Sequence, residues 1–220
     1  MNFILSHNKQ ELIHNFLIMW GEQLHMAREI KVLPYNENWV EDYKQIKRLL
    51  LDIFGDLVID IQHFGSTSIK GMSAKPIIDV MIIVNNIQKV DELNYRMIEV
   101  GYKPRGENGM PGRRYFQYFH EDGVNHTQHI HVYEKNNSAV IDQLMFRDYL
   151  RIDKDAFEQY QQIKINSAEL FRHSPSEYTD SKTNCINEIM NKAKNYYKSR
   201  WVKPLLYILL MLRSNIIGNV

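Results

Sequence analysis

The chain has 220 residues, with 27 Lys and Arg against 26 Asp and Glu, a formal charge of +1, 44% hydrophobic residues and one cysteine. That length suits one domain with appendages; the composition excludes a disordered chain, and the charge balance gives no basic footprint for a nucleic-acid partner. A single cysteine makes neither an internal disulfide nor a multi-cysteine zinc site, which points to a reducing cytoplasm.

In chain order, residues 1–25 are apolar with a helical texture, from Leu12 to Trp20. They lack the basic start and the small-residue cleavage site of a signal peptide. Met26 offers a second start, so residues 1–28 are expected to be an N-terminal extension. A short strand spans Ile30 to Leu33, Pro34 breaks it, and Asn36 offers a helix N-cap. Trp39, Tyr43, Ile46, Leu49, Leu50 and Ile53 then recur at helical spacing, and Gly55 stops the run. Leu57 to Phe64 reads as a strand, residues 65–76 as a Gly-Ser loop, and Ile77 to Val84 as a central strand buried on both faces. A helix from Val90 to Val100 follows, ended by Gly101. Strands at Tyr102–Arg105, Arg114–His120 and His129–Glu134 come next, then helices over 138–151, 154–172 and 179–199. Leu205 to Leu212 is an apolar run too short to cross a bilayer, which takes ~20 residues. The order predicts an α+β fold: a small mixed sheet flanked by helices, with a helical C-terminal part.

Three features carry chemistry. Gly65, Ser66, Thr67 and Ser68 would let backbone N–H groups and hydroxyls approach a phosphate, although the spacing to Gly71 is not that of a P-loop and a tight strand-connecting turn reads equally well. Asp79 is the one charge in its apolar strand, where a carboxylate needs a partner, a hydrogen bond or a metal. His129 and His131 share one face of their strand, while Ile130 and Val132 face the core. Such a pair can ligate a metal, hold a phosphate or act as acid and base, or simply pack half-buried. Lys70, Lys75, Arg113 and Arg114 are the nearby cations for a phosphate, with Lys75 favoured by its place just before the Asp79 strand. Tyr178 and Lys182, four apart, can share a helix face.

The string from His63 to Val80, with Gly65-Ser66-Thr67, Gly71, Ala74-Lys75-Pro76 and Ile78-Asp79, resembles the signature of the GrpB family. Pro34-Tyr35 with Trp39, Gly101-Tyr102, His129 to Val132, Phe146 to Arg151, Tyr160 with Lys164, and Tyr178 with Lys182 resemble its other blocks, so the likeness covers about residues 29–199 and leaves 200–220 as a tail. The resemblance implies a nucleotidyltransferase-like fold of the DNA polymerase beta kind. It implies nucleotide binding through Gly65, Ser66, Thr67, Ser68, Lys75, Arg114 and Lys182. Asp79, His129 and His131 would carry the chemistry, with Asp79, His63, His129 and His131 as metal ligands. The cofactor would be a divalent metal, Mg²⁺ or Mn²⁺ with Zn²⁺ as the alternative. The partners would be a nucleoside triphosphate or related small molecule and an unknown acceptor, with no nucleic acid and no transmembrane segment. One departure stands out. The wider superfamily commonly carries Asp-x-Asp on this strand, and here the second position is Met81, whose thioether is a poor ligand for Mg²⁺. Three readings follow: a nucleotidyltransferase, a non-catalytic nucleotide- or CoA-binding module, or a metal-dependent hydrolase built on His63, Asp79, His129 and His131.

Overall fold

The computed structural model describes residues 29–200. The expectations for residues 1–28 and for the tail from 201 onward lie outside them. Helix α1 (Asn38–Phe54) leads into β1 (Val58–Phe64) and β2 (Ile78–Val84). Helix α2 (Asn94–Glu99), β3 (Tyr102–Pro104), β4 (Arg113–Phe119) and β5 (His126–Glu134) follow. The chain then continues as α3 (Ser138–Ile152), α4 (Lys154–Leu170), α5 (Pro175–Asp180) and α6 (Thr183–Arg200). The five strands form one sheet in the order β1-β2-β5-β4-β3. Only the central pair, β2 with β5, is parallel; the other neighbours are antiparallel. This is the mixed sheet, flanked by helices, that the element order calls for.

β2 sits between two neighbours and is covered on both faces, which explains its near-continuous Ile/Val composition. On one face Val80 and Ile82, with Ile61, Ile130, Val132 and Phe116, pack against Trp39, Ile46, Leu50 and Ile53 of α1. Asn36 helps start α1, its side chain accepting from Asn38 N at 3.0 Å, and Gly55 ends it at φ 50°. On the opposite face Met81 and Ile83 pack with Phe64, Tyr133 and Val140, the last from the first turn of α3. This small cluster covers only the lower end of the face and leaves Asp79 above it.

The C-terminal helices build a second core around Tyr149, Leu150, Ala156, Ile189 and Ala193, and Ile69 and Met72 from the β1–β2 loop are buried within it. The loop that follows Gly65 is therefore held by the helical part rather than left to solvent.

The strand expected over Ile30 to Leu33 is reduced to a single antiparallel bridge, Leu33 with Ala74. Three boundaries also differ from expectation. The helix foreseen over 90–100 is a 3₁₀ turn, Gln88–Leu93, followed by α2; the Asn86 side chain caps the N–H groups of Gln88 and Lys89 and tightens the entry. The last helix is broken after Asp180, where the Ser181 hydroxyl bonds Tyr178 O and Ser167 Oγ, a competition for backbone groups typical of serine. β5 begins at His126 rather than His129, which brings one more histidine onto the sheet. Among the described residues no helix is long and apolar enough to cross a membrane.

Candidate functional site

The site starts from one close approach. Gly65 ends β1 with φ 69° and ψ −177°, a region open in practice to glycine alone. A Cβ there would lie 2.3 Å from Asp79 Oδ2 and 2.9 Å from Asp79 Cβ. The glycine is needed twice, for its backbone angles and for the space the carboxylate occupies. The loop's hydroxyls then divide by role. Thr67 is buried, and its Oγ1 donates to Ile77 O at 3.0 Å and meets His63 Nε2 at 3.1 Å. Ser68 Oγ donates to Gly65 O at 2.7 Å. Ser66 bonds Tyr160 of α4 and faces the cleft between the loop and the helices. Of the three hydroxyls, Ser66 is the one that lines the cleft, while Thr67 and Ser68 shape the turn.

The block Phe146–Arg151 clamps this turn. Arg147, buried in α3, donates to His63 O at 2.9 Å and Gln62 Oε1 at 3.0 Å. Arg151 donates to Ser68 O at 2.8 Å. Both guanidinium groups share Asp148 as counter-charge, so a charge-assisted network fixes both ends of the loop.

Sheet register brings the histidines to Asp79. Asp79 pairs with His129 and Met81 with His131 across the parallel β2–β5 ladder, and ligand atoms of Asp79, His129 and His131 all lie within 4.8 Å of one another. Arg105 Nε donates to Gln117 Oε1 at 2.8 Å, which turns the Gln117 amide nitrogen toward Tyr115 OH and His126 Nδ1, each at 3.3 Å. His126 Nδ1 lies 3.1 Å from His129 Nε2. The other His129 nitrogen, Nδ1, faces Asp79 Oδ1 at 3.2 Å, a pair that a proton or a metal ion can join. The proton of His131 is fixed by an arginine, because a guanidinium only donates. Arg113 donates to its Nδ1 at 3.3 Å, so its proton sits on Nε2. That buried nitrogen lies 3.9 Å from Asp79 Oδ1 and has no hydrogen-bond partner.

This donor set fits one divalent cation held by Asp79 Oδ1 and His129 Nδ1. His126 orients the far side of His129, as outer partners of ligating histidines do, and the unpartnered His131 N–H aims at whatever oxygen completes the site. A carboxylate with an imidazole suits Mn²⁺ better than Mg²⁺. His63, expected as a fourth ligand, is not brought to the cluster. Its residue pairs with Val80 rather than with Asp79, so its side chain leaves by the α1 face, stacked on Tyr43 at 4.7 Å. One position along an alternating strand reverses the face.

The cations divide in the same way. Arg114 follows Arg113 on β4 and so lies on the far face, paired with Asp91 at 2.6 and 2.8 Å, away from Asp79. Lys75 and Lys182 both approach Tyr178, with ammonium groups 5.0 and 3.8 Å from its ring centre. A third lysine, named above within a family block but not as a phosphate ligand, joins them. Lys164 of α4 is buried and donates to Ser73 O at 2.5 Å. Burial, then the neighbouring Lys75, lowers Lys182 to about 7, with Asp79 opposing; burial and Lys182 lower Lys164 to about 7. Burial would push the Asp79 carboxyl up, but the His129 hydrogen bond and the charges of His129, His131 and Lys75 outweigh it and hold the group below its usual range.

Acid sensitivity follows from the buried imidazoles. Burial, with help from Arg151 and Arg147 and against Asp79, lowers His63 to about 4. Burial, with Arg113 and against Asp79, lowers His131 to about 3. The unfolded chain takes up protons near pH 6.5, while the folded chain refuses them until about 4 or 3. Stability is therefore full above pH 6.5 and declines as the pH falls toward 4, by up to about 3 kcal/mol for His63. Thermal melts from pH 7.5 to 4.5 are expected to show this fall, and His63→Gln is expected to make it shallower; an unchanged pH profile in the variant would exclude His63 as a source.

A family model described as GrpB protein matches residues 29–192. The chain is 40% identical over 177 residues to UPF0157 protein YqkA of Bacillus subtilis, a match covering 80% of this chain and 51% of that protein, so the chain spans about half the length of this relative. It is 34% identical over 166 residues to the glutamate-rich protein GrpB of Alkalihalophilus pseudofirmus, covering 74% of this chain and 95% of that protein. Among solved structures, the crystal structure of conserved protein GrpB from Enterococcus faecalis superposes with a TM-score of 0.71 at 33% identity, over 76% of this chain and 99% of that one.

Proposed function

The chain belongs to the GrpB family, and from that premise we propose that it binds a nucleoside triphosphate through the Gly65-Ser66 loop and Asp79 and transfers its nucleotidyl group to an acceptor. The observation that supports this reading is the packing of the Gly65 backbone directly against the Asp79 carboxylate, which sets the backbone of the Gly-Ser turn beside the one acidic group of the cluster. Ser66 presents a hydroxyl on the same edge. Lys75 and Lys182 lie close enough to Asp79 to be felt by its carboxylate, so positive charge lies where a polyphosphate would run. A divalent cation at Asp79 and His129 would neutralise phosphate charge and orient the α-phosphate. The acceptor oxygen would bond to the α-phosphorus as the α–β bond breaks and pyrophosphate leaves. The His131 N–H is placed to donate to a phosphate oxygen as charge builds on it.

Met81 favours a second reading. It is fully buried among Phe64, Ile83 and Tyr133, so the second carboxylate of a two-metal site is replaced by an apolar contact. A binding module that holds a nucleotide or a CoA-like molecule without turnover would need only one cation. The hydrolase reading required His63 beside Asp79 and is not carried further.

Calorimetry with ATP, GTP, CTP and UTP, each with Mg²⁺ or Mn²⁺, tests binding. At least one nucleotide is expected to bind; no heat with any of them sinks both readings. Binding is also expected to strengthen as the pH falls through about 7, because a polyanion prefers Lys164 and Lys182 in their charged forms. Affinity independent of pH between 6 and 9 would remove these lysines from the phosphate site.

A further inference from the structure

The cleft that Ser66 faces has a volume of about 650 Å³ and runs between the β1 loop and helices α3, α4 and α6, within the range of small-molecule sites. Its charged lining is neutralised within the protein. Arg147 is held by Asp148 at 2.7 Å, and Lys194 of α6 faces Asp142 of α3 at 3.6 Å. Its walls include the rings of Phe64, Phe146 and Tyr160, the last two edge-to-face at 5.2 Å. The remaining polar groups include three amides: Gln143 on α3, and Asn187 with Asn191, one turn apart on α6. One of these amides is incomplete. Gln143 Nε2 donates to Tyr133 OH at 3.1 Å, while its Oε1 is buried and has no hydrogen-bond partner. A buried orphan acceptor is costly unless something supplies a donor.

We propose that this cleft is the binding site for an uncharged, planar nitrogen heterocycle, a nucleobase, which sits against the aromatic walls and gives an N–H to Gln143 Oε1 once that amide turns toward the cleft, with Asn187 and Asn191 reading its outer edge. The cleft's Arg147 and Lys194 already hold carboxylate partners, so the base takes the amide-lined part of the cleft and the phosphate tail runs past Gly65 and Ser66 toward the lysines. Flat rings and amides are the groups that stack on a base and read its edge. The proposal deepens the nucleotide reading above and rests on it for the placement of the phosphates, but not for the heterocycle.

The test is calorimetry on the full chain with Mn²⁺, comparing ATP, GTP, CTP and UTP with inorganic tripolyphosphate and with the free nucleosides. At least one nucleotide is expected to bind about tenfold or more tighter than tripolyphosphate, the worth of one or two hydrogen bonds made on burial. Gln143→Leu is expected to remove most of that margin while leaving tripolyphosphate binding unchanged. Asn191→Ala, on an exposed helix face, is expected to reduce the margin in the same direction and serves where Gln143→Leu does not fold. Equal affinity for all nucleotides and tripolyphosphate, or a margin untouched by the variant that folds, overturns the proposal and leaves phosphate binding standing. Nucleoside binding without tripolyphosphate binding supports the cleft and sinks the phosphate assignment. Binding of none of these compounds overturns both.

Discussion

Gly65→Ala is expected to lower stability by roughly 3–5 kcal/mol and to abolish nucleotide binding. Two independent costs meet at this position. The backbone, at φ 69° and ψ −177°, lies where a residue with a Cβ is strained by ~1–3 kcal/mol. The new methyl would also stand 2.3 Å from Asp79 Oδ2 and 2.9 Å from Asp79 Cβ and Cγ. The carboxylate oxygen alone could swing aside, but the Cβ contact requires β2 or the loop to move. β2 is an interior strand, packed on both faces, so the loop must yield, and it is pinned by Arg147 at His63 O and Arg151 at Ser68 O. A fall in Tm of roughly 10 °C is the expected readout, together with the loss of any calorimetric signal for nucleotides. A variant that melts and binds like the parent would mean that the close approach is not needed by either fold or site.

Asp79→Ala is expected to reduce nucleotidyl transfer by about a thousandfold or more, equivalent to ~4 kcal/mol of lost charge stabilisation. The carboxylate faces His129, His131 and Lys75, and its removal takes away the group that would hold a cation among them. Asp79→Asn keeps the shape and separates this electrostatic loss from a packing effect. The measurement is transfer of label from a radioactive nucleotide to a cell metabolite and protein extract, parent against variant. A parent that transfers label and a variant that does not supports the transferase. A parent that binds nucleotide but transfers none, with affinity changed tenfold or less in the variant, replaces the transferase with the binding module that Met81 favours.

Much of this site was legible before any coordinates, because its signals are local. A glycine beside three hydroxyl residues, one carboxylate in an Ile/Val run, and two histidines at a spacing of two each carry their meaning within a few residues. The loop does return to Asp79, and Asp79 does meet His129 and His131. The readings that shifted all concern faces and distant partners. His63 and Arg114 are each one position away from residues that face the site, Phe64 and Arg113, and only the register of β1 on β2 and of β4 on β5 says which of two neighbours points inward.

By itself, the sequence determined most of the strands and helices, the glycine turn, the placement of a lone carboxylate at the start of a buried strand, and the family. These depend on alternation, helical period and turn chemistry, which act over a few residues. The tertiary structure alone decided that Lys164 and Lys182, some 90 to 115 residues beyond the loop, converge near it; that Gln143 lines a cleft closed by α6 with a buried acceptor left unpartnered; and that Arg113 sets which nitrogen of His131 carries the proton. Burial, charge coupling and hydrogen-bond direction are properties of groups brought together by packing, and no window of sequence contains both partners.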